Sequence, residues 1–158
     1  MKEIKLTQGK FALVDDDMFE ELNQFKWYAD KNKYTFYAKR NICINGKRTT
    51  SFMHRVILEL MDKNTHCDHK DLNGLNNQKS NLRKCSNAEN NRNQNPRTGC
   101  TSRFKGVCWN KKDRRWRVQI MVDGKINNLG NFKDELKAAI TYDKAAKVHY
   151  GEFANVNF

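Results

Sequence analysis

The chain has 158 residues, 38% hydrophobic and 30% charged, which excludes a disordered polymer and leaves room for one ordinary domain or two small ones. Its net charge is +12, from 30 Lys and Arg against 18 Asp and Glu, and the final 58 residues hold 12 of the basic and 6 of the acidic side chains. No apolar run approaches the ~18 residues of a membrane helix, and Met1-Lys2-Glu3-Ile4-Lys5 has no apolar stretch behind its charges, so the protein is expected to stay inside the cell with no membrane partner. A polyanion is the natural partner; nucleic acid is favoured over an acidic membrane surface because the chain lacks amphipathic basic helices.

From the N-terminus, residues 1–52 read as β-rich. Asp15-Asp16-Asp17 reads as a turn and helix start, since Asp caps exposed amides there. Phe19, Leu22 and Phe25 then fit one face of a short helix. Tyr34, Phe36 and Ala38 alternate with Thr35, Tyr37 and Lys39, the period of a strand. Asn45-Gly46 separates two strand-like runs, 40–44 and 48–52, and is the preferred two-residue hairpin turn.

Residues 53–94 are rich in Asn and His. Met53-His54-Arg55 and Val56-Ile57-Leu58 predict a helix to about Met61. Residues 66–70 and 82–85 read as short strands joined by a loop of turn formers, and Ser86 with Glu89 makes an S-x-x-E capping box that opens a helix. Asp68 and His69 are neighbours on the first strand and point to opposite faces unless a bulge intervenes. Asn90 falls in the first helical turn, so a compact strand–strand–helix unit could gather Asp68 and Asn90 around one cation. Asn73, Asn76 and Asn77 read as loop formers rather than ligands.

Polar residues 91–102, with the only proline (Pro96) and with Gly99, read as a connection whose linker proper is 95–102. Arg92 and Arg97 suggest that this connection follows a DNA groove. Beyond it, Arg115–Val122 alternates strictly, with Trp116, Val118, Ile120 and Val122 on one side and Arg115, Arg117, Gln119 and Met121 on the other. Asp123-Gly124 turns into a strand over 125–129, Asp134 caps a helix to about Tyr150, and Gly151 ends it. Leu136, Ala139, Tyr142 and Ala146 read as the helix's packing stripe. Five cysteines (Cys43, Cys67, Cys85, Cys100, Cys108) contain no C-x-x-C pair, which argues against a disulfide framework and against structural zinc.

Over about residues 53–94 the chain resembles HNH homing endonucleases of the phage and group I intron type. The resemblance rests on His54-Arg55, Asp68-His69, Asn76-Asn77, Asn81-Leu82-Arg83 and Glu89-Asn90, in order and at family-like spacing. It implies that His69 is the general base, that Asp68 and Asn90 hold one Mg²⁺ or other divalent cation, and that Asn81 hydrogen-bonds around His69 to fix its ring. His54 and Arg55 become possible phosphate contacts, and the implied products carry 5′-phosphate and 3′-hydroxyl ends. Residues 103–158 resemble a second family, the APETALA-type DNA-binding domain of plant ethylene-response factors. That resemblance rests on Phe104-Lys105-Gly106-Val107, Arg115 to Ile120, Leu129-Gly130-Asn131-Phe132, Ala138-Ala139, Tyr142 to Ala146, and Gly151 with Asn157-Phe158. Cys108 and Asn128 depart from the plant pattern.

The expected fold class is α+β: a β-rich region with a ββα-metal nuclease unit in 1–94, then a three-stranded antiparallel sheet packed on one helix. The free sheet face would enter the major groove, with Lys105, Arg115, Arg117 and Gln119 toward bases, Lys111, Lys112 and Arg114 on phosphates, and Trp109 at sugar or base. The expected function is site-specific endonuclease on double-stranded DNA, acting as a monomer. A DNA-binding regulator with an inactive nuclease unit is the alternative. An RNA-binding protein ranks third, because the free sheet face offers Arg and Gln rather than stacking aromatics.

Overall fold

The computed structural model describes residues 1–96 and 99–158, so Arg97, one of the two arginines placed along a DNA groove, lies outside the described residues. Among those described, the fold is mixed α and β, with four small antiparallel sheets and four α-helices. The chain divides into two compact units, Met1–Asn90 and Asn91–Phe158. No helix of the described residues is long and apolar enough to cross a membrane, and all five thiols are free.

The first unit opens with a two-stranded sheet, β1 (Lys2–Lys5) and β2 (Phe11–Val14), followed by helix α1 (Asp16–Asn23). Leu22 is fully buried and Phe19 packs on the same core, but Phe25 lies beyond the helix and is 44% exposed, with the Arg40 guanidinium 3.6 Å above its ring. Trp27 returns the chain to the core and donates its indole N–H to Leu22 O at 2.8 Å. The three-stranded sheet runs β3 (Tyr28–Lys31), β4 (Phe36–Ile44), β5 (Lys47–Phe52), joined between β4 and β5 by Asn45-Gly46 with φ of 50° and 76°. Both residues have the positive φ that a primed hairpin turn demands.

Helix α2 is only Met53–Ile57, shorter than its apolar run suggests. Glu59 takes φ 53°, and the Arg55 guanidinium draws in the carbonyls of Leu60, Asp62 and Thr65, so the chain turns back instead of continuing. Strand β6 (His66–His69) then pairs with β7 (Leu82–Cys85), and α3 (Asn87–Arg92) follows. The capping box forms as written: Ser86 N donates to Glu89 Oε2 at 2.8 Å, and Glu89 N donates to Ser86 Oγ at 3.3 Å.

The second unit is a sheet of order β10-β9-β8, namely β8 (Val107–Asn110), β9 (Arg115–Val122) and β10 (Lys125–Phe132), with α4 (Glu135–Tyr150) across one face. Strand β10 runs three residues further than its sequence pattern suggested, because a register shift between Asn128 and Gly130 lets pairing resume. Asp134 caps α4 by accepting from Leu136 N and Lys137 N. The buried stripe is Ala138, Ala139, Tyr142, Ala146 and Tyr150, whereas Leu136 is 50% exposed. Three-residue steps from 136 to 139 to 142 lag the 3.6-residue period, so the earliest position has rotated off the packed face.

Alanine at the sheet interface lets the helix approach closely, and Gly106 completes the fit. Its φ is +76°, and a Cβ there would overlap the Tyr142 ring. Gly106→Ala therefore adds left-handed strain to overpacking, an expected loss of roughly 2–5 kcal/mol. Urea denaturation of the full chain, followed by tryptophan fluorescence, is expected to show the second unit unfolding earlier in this variant.

Candidate active site and nucleic-acid interface

The β6–β7 ladder runs in register without a bulge: His66 opposite Cys85, Cys67 opposite Lys84, Asp68 opposite Arg83, His69 opposite Leu82. Asp68 and His69 therefore leave the strand on opposite faces. Asp68, 4% exposed, shares its face with Arg83, which reaches Oδ2 through Nε at 2.8 Å and Nη2 at 2.6 Å. Cys85 borders the same spot. Its thiol is pushed up to about 11 by burial, then by the negative charges of Asp68 and Glu89, and it receives the backbone N–H of Asn90. Asp68 and Cys85 thus share one face of the ladder, and α3 begins directly after Cys85. The side chains of Asp68 and Asn90 offer a carboxylate and an amide oxygen, the hard donors that Mg²⁺ takes together with water and phosphate.

His69 is 6% exposed and belongs to a cluster of rings. Its centroid lies 5.1 Å from that of His54, edge to face, and 5.9 Å from Tyr37; Phe52 closes on His54 at 5.0 Å. Burial pulls the His69 pKa down, against the raising influence of Asn77, Asp71 and Asp68, so the ring is neutral at pH 7. Asn77, 1% exposed, places Oδ1 3.4 Å from His69 Nε2, and its Nδ2 donates to Leu75 O at 3.2 Å. An amide oxygen only accepts, so Nε2 carries the hydrogen and Nδ1 keeps the lone pair.

Asn81 sits elsewhere in this network. Its Nδ2 donates to Asp71 Oδ1 at 2.9 Å and to Asn76 O at 2.8 Å, and its Oδ1 accepts from Asp71 N at 3.1 Å. It shapes the loop after His69; the ring contact that the sequence assigned to Asn81 is made by Asn77. The sequence offered a signal for this, since Asn76-Asn77 stood among the motif residues, but reading both as loop formers concealed it. Asn76 and Asn73 do act that way, through Asp71 and the backbone of residues 75 and 78.

The loop is held from outside as well. Leu13 N donates to Leu75 O at 2.9 Å and Asn77 N to Leu13 O at 2.8 Å, while Asp15 Oδ2 accepts from Lys79 N at 2.7 Å. Gly74 lies against β4, where a Cβ would meet Phe36 O at 2.5 Å. The acidic run Asp15–Asp17 precedes and opens α1, but Asp15 does not cap it: its carboxylate is spent on the loop, as is that of Asp17 on Lys79 Nζ at 2.8 Å.

A cleft of about 460 Å³ opens beside these rings, lined by Tyr37, Lys39, Phe52, His54, His66 and Cys67 among others. His54 is a wall of it rather than a cation: burial, with the proximity of His69, Arg55 and Lys39, lowers its pKa to about 3, and its Nδ1 is buried without a partner. Arg55 is committed to three backbone carbonyls, so its guanidinium is structural.

In the second unit, register sorts the expected contacts. Arg115, Arg117 and Gln119 share the face away from α4, opposite Asn110, Cys108 and Asn128 respectively. Arg117 Nη2 approaches Cys108 Sγ at 3.9 Å while its Nε is buried without a partner. Lys111, Lys112 and Arg114 are exposed in the β8–β9 turn. Two assignments are displaced. Trp109 pairs with Trp116 across the ladder, centroids 4.9 Å apart, which puts it on the helix-side face. Lys105 Nζ donates to Arg92 O at 2.5 Å and Gln94 O at 2.6 Å, so it caps the end of α3, and burial lowers its pKa to about 8. With Asn155 Nδ2 on Asn93 O at 3.0 Å and the Arg92 guanidinium over Tyr150, residues 92–94 are packed rather than loose.

No family model matches the chain. Protein 3.8 of Escherichia phage T7 is 32% identical to it over 92 residues, which cover 58% of this chain and 75% of that protein. The chain belongs to the family of Protein 3.8. A protein of Acanthamoeba polyphaga mimivirus named as an uncharacterized HNH endonuclease is 28% identical over 151 residues, 95% of this chain and 76% of that protein. This second likeness supports an HNH-type nuclease.

The unfolded chain binds the proton that the folded His54 ring refuses. Stability therefore rises with pH between about 3 and 6.5 and is lost as pH falls through that window, each tenfold rise in proton concentration costing roughly 1.4 kcal/mol. His54→Phe is expected to flatten this acid limb, as read by urea midpoints of wild type and variant from pH 4 to pH 7.

Proposed function

We propose that the protein is an endonuclease on double-stranded DNA, with its nuclease centre at the end of β6 and the start of α3. The feature that supports this reading is the order of Asp68, His69, Asn77 and Asn90 along β6, its loop and α3, with Asp68 on the Cys85 face of the β6–β7 ladder and His69 on the opposite face beside Asn77. Asp68 and Asn90 would hold one divalent cation, which supplies charge stabilisation at the scissile phosphate when bound. His69 is the general base for the attacking water, its ring oriented by the Asn77 oxygen at Nε2. Asn77 keeps that aim; Asn81 and Leu13 keep the loop that carries Asn77.

DNA has a path to this centre. Residues 32–58 contain six Lys and Arg and no acid. Lys39 and Phe52, paired across β4–β5, lie at the cleft, and the same face continues through Asn41 with Thr50 and Cys43 with Arg48, all exposed or half-buried. In the second unit the Arg115, Arg117 and Gln119 face suits the major groove, as the likeness to the APETALA-type domain implies. Such a reading face in one chain with a nuclease centre supports the proposal that cutting is site-specific, of the homing type.

A second reading, a DNA-binding regulator with an idle nuclease unit, is favoured by two observations: Arg83 already occupies Asp68 Oδ2, and Asp68 and His69 leave β6 on opposite faces. Cleavage separates the two readings. With Mg²⁺ and host genomic DNA, wild type is expected to cut and His69→Ala to lose about 100- to 10,000-fold in rate while binding DNA as before. Absence of cutting by wild type, or equal loss of binding and cutting in the variant, would establish the regulator reading or a structural His69. Asn77→Leu is expected to lower cleavage about 10- to 100-fold, and Asn77→Asp, which keeps an acceptor, to recover part of it.

A further inference from the structure

The sheet face of the second unit is not polar throughout. At the end farthest from Arg115, Met121 and Ile126 stand opposite each other across β9 and β10, 55% and 63% exposed. They continue the row of Arg117 with Asn131 and Gln119 with Asn128. The core does not need them: Val118, Ile120 and α4 fill the other face, and neither Met121 nor Ile126 belongs to that cluster. Paired across the ladder, they form one small apolar patch at the end of a face that is otherwise polar.

The neighbourhood specifies a ligand for this patch. Arg115 and Arg117 lie on the same face with Lys111, Lys112 and Arg114 beyond them, while Lys125 and Asp123 flank the apolar pair, so the face is cationic toward Arg115 and apolar toward Met121. A polyanion with an apolar feature in its groove complements it. In the major groove of DNA the apolar feature is the C5-methyl group of thymine. We propose that Met121 and Ile126 are an apolar sensor for thymine methyl groups, a specificity element resting on the reading that this face enters the major groove. From Arg117 to Met121 is four residues of strand, ~13 Å, so the preferred sequence carries thymine about three to four base pairs from the base that Arg117 reads.

The test uses the full chain without divalent cation, so that binding is read without cutting. A preferred duplex is selected from a randomised pool, and each of its thymines is replaced singly by deoxyuridine, which removes the methyl group and leaves every hydrogen-bonding edge intact. One or two replacements are expected to weaken binding about fourfold each, the effect of one buried methyl. In Met121→Ala/Ile126→Ala the same replacements are expected to change nothing; both residues are exposed, so folding is spared, and circular dichroism checks this. Arg117→Ala on the unmodified duplex tests the broader reading. If Arg117→Ala weakens binding and every deoxyuridine is neutral, or the sensitivity persists in the double variant, the sensor is refuted and the reading face stands. If Arg117→Ala leaves binding and sequence preference unchanged, or no preferred duplex emerges, both are refuted.

Discussion

Leu13 donates its amide to Leu75 and accepts from Asn77, and through that pair of hydrogen bonds β2 fixes the loop between β6 and β7. The side chain of Asn77 is aimed at His69 only because its backbone is held there. The Asp71–Asn81 clasp, the Asp15–Lys79 tie and the close approach of Gly74 to β4 act on the same stretch. A loop so rich in Asn and Gly would sample many turns if left alone. Its single shape comes from the N-terminal sheet, which makes the β-rich start of the chain part of the site rather than a preface to it.

Electrostatics divides along the same strand. On one face the Asp68 carboxylate, 4% exposed, is paired with the Arg83 guanidinium. Burial of such a charge without a partner is prohibitive. On the other face no cation is needed, because burial keeps both His54 and His69 neutral. One side of a four-residue strand thus stores charge, and the other stores a lone pair.

Local rules were legible in the sequence where one chemical feature decides the outcome. Asn45-Gly46 and Asp123-Gly124 specified hairpins, Ser86 with Glu89 a capping box, and the alternation of β9 its two faces. What escaped depended on distant partners. Asn77 and Asn81 are chemically identical, and only the hold of β2 decides which one reaches the imidazole. Lys105 looks like a DNA contact until Arg92 and Gln94 are brought beneath it. Trp109 looked free because its strand, β8, has no alternating pattern long enough to assign a face. The helix ending at Ile57 was hidden by an apolar run, since the carbonyls that Arg55 gathers come from residues downstream.

The β6–β7 ladder has only four residue pairs. Slippage by a single position would exchange the acid and the imidazole between sides of the strand, and so short a ladder resists slippage weakly. The alignment is enforced from β2 and from Asn81 across the loop. Trimming the first unit to its strand–strand–helix kernel would keep Asp68, His69 and Asn90 and discard what keeps them in phase. Miniaturised or transplanted versions of this centre must therefore carry the β1–β2 ribbon with them.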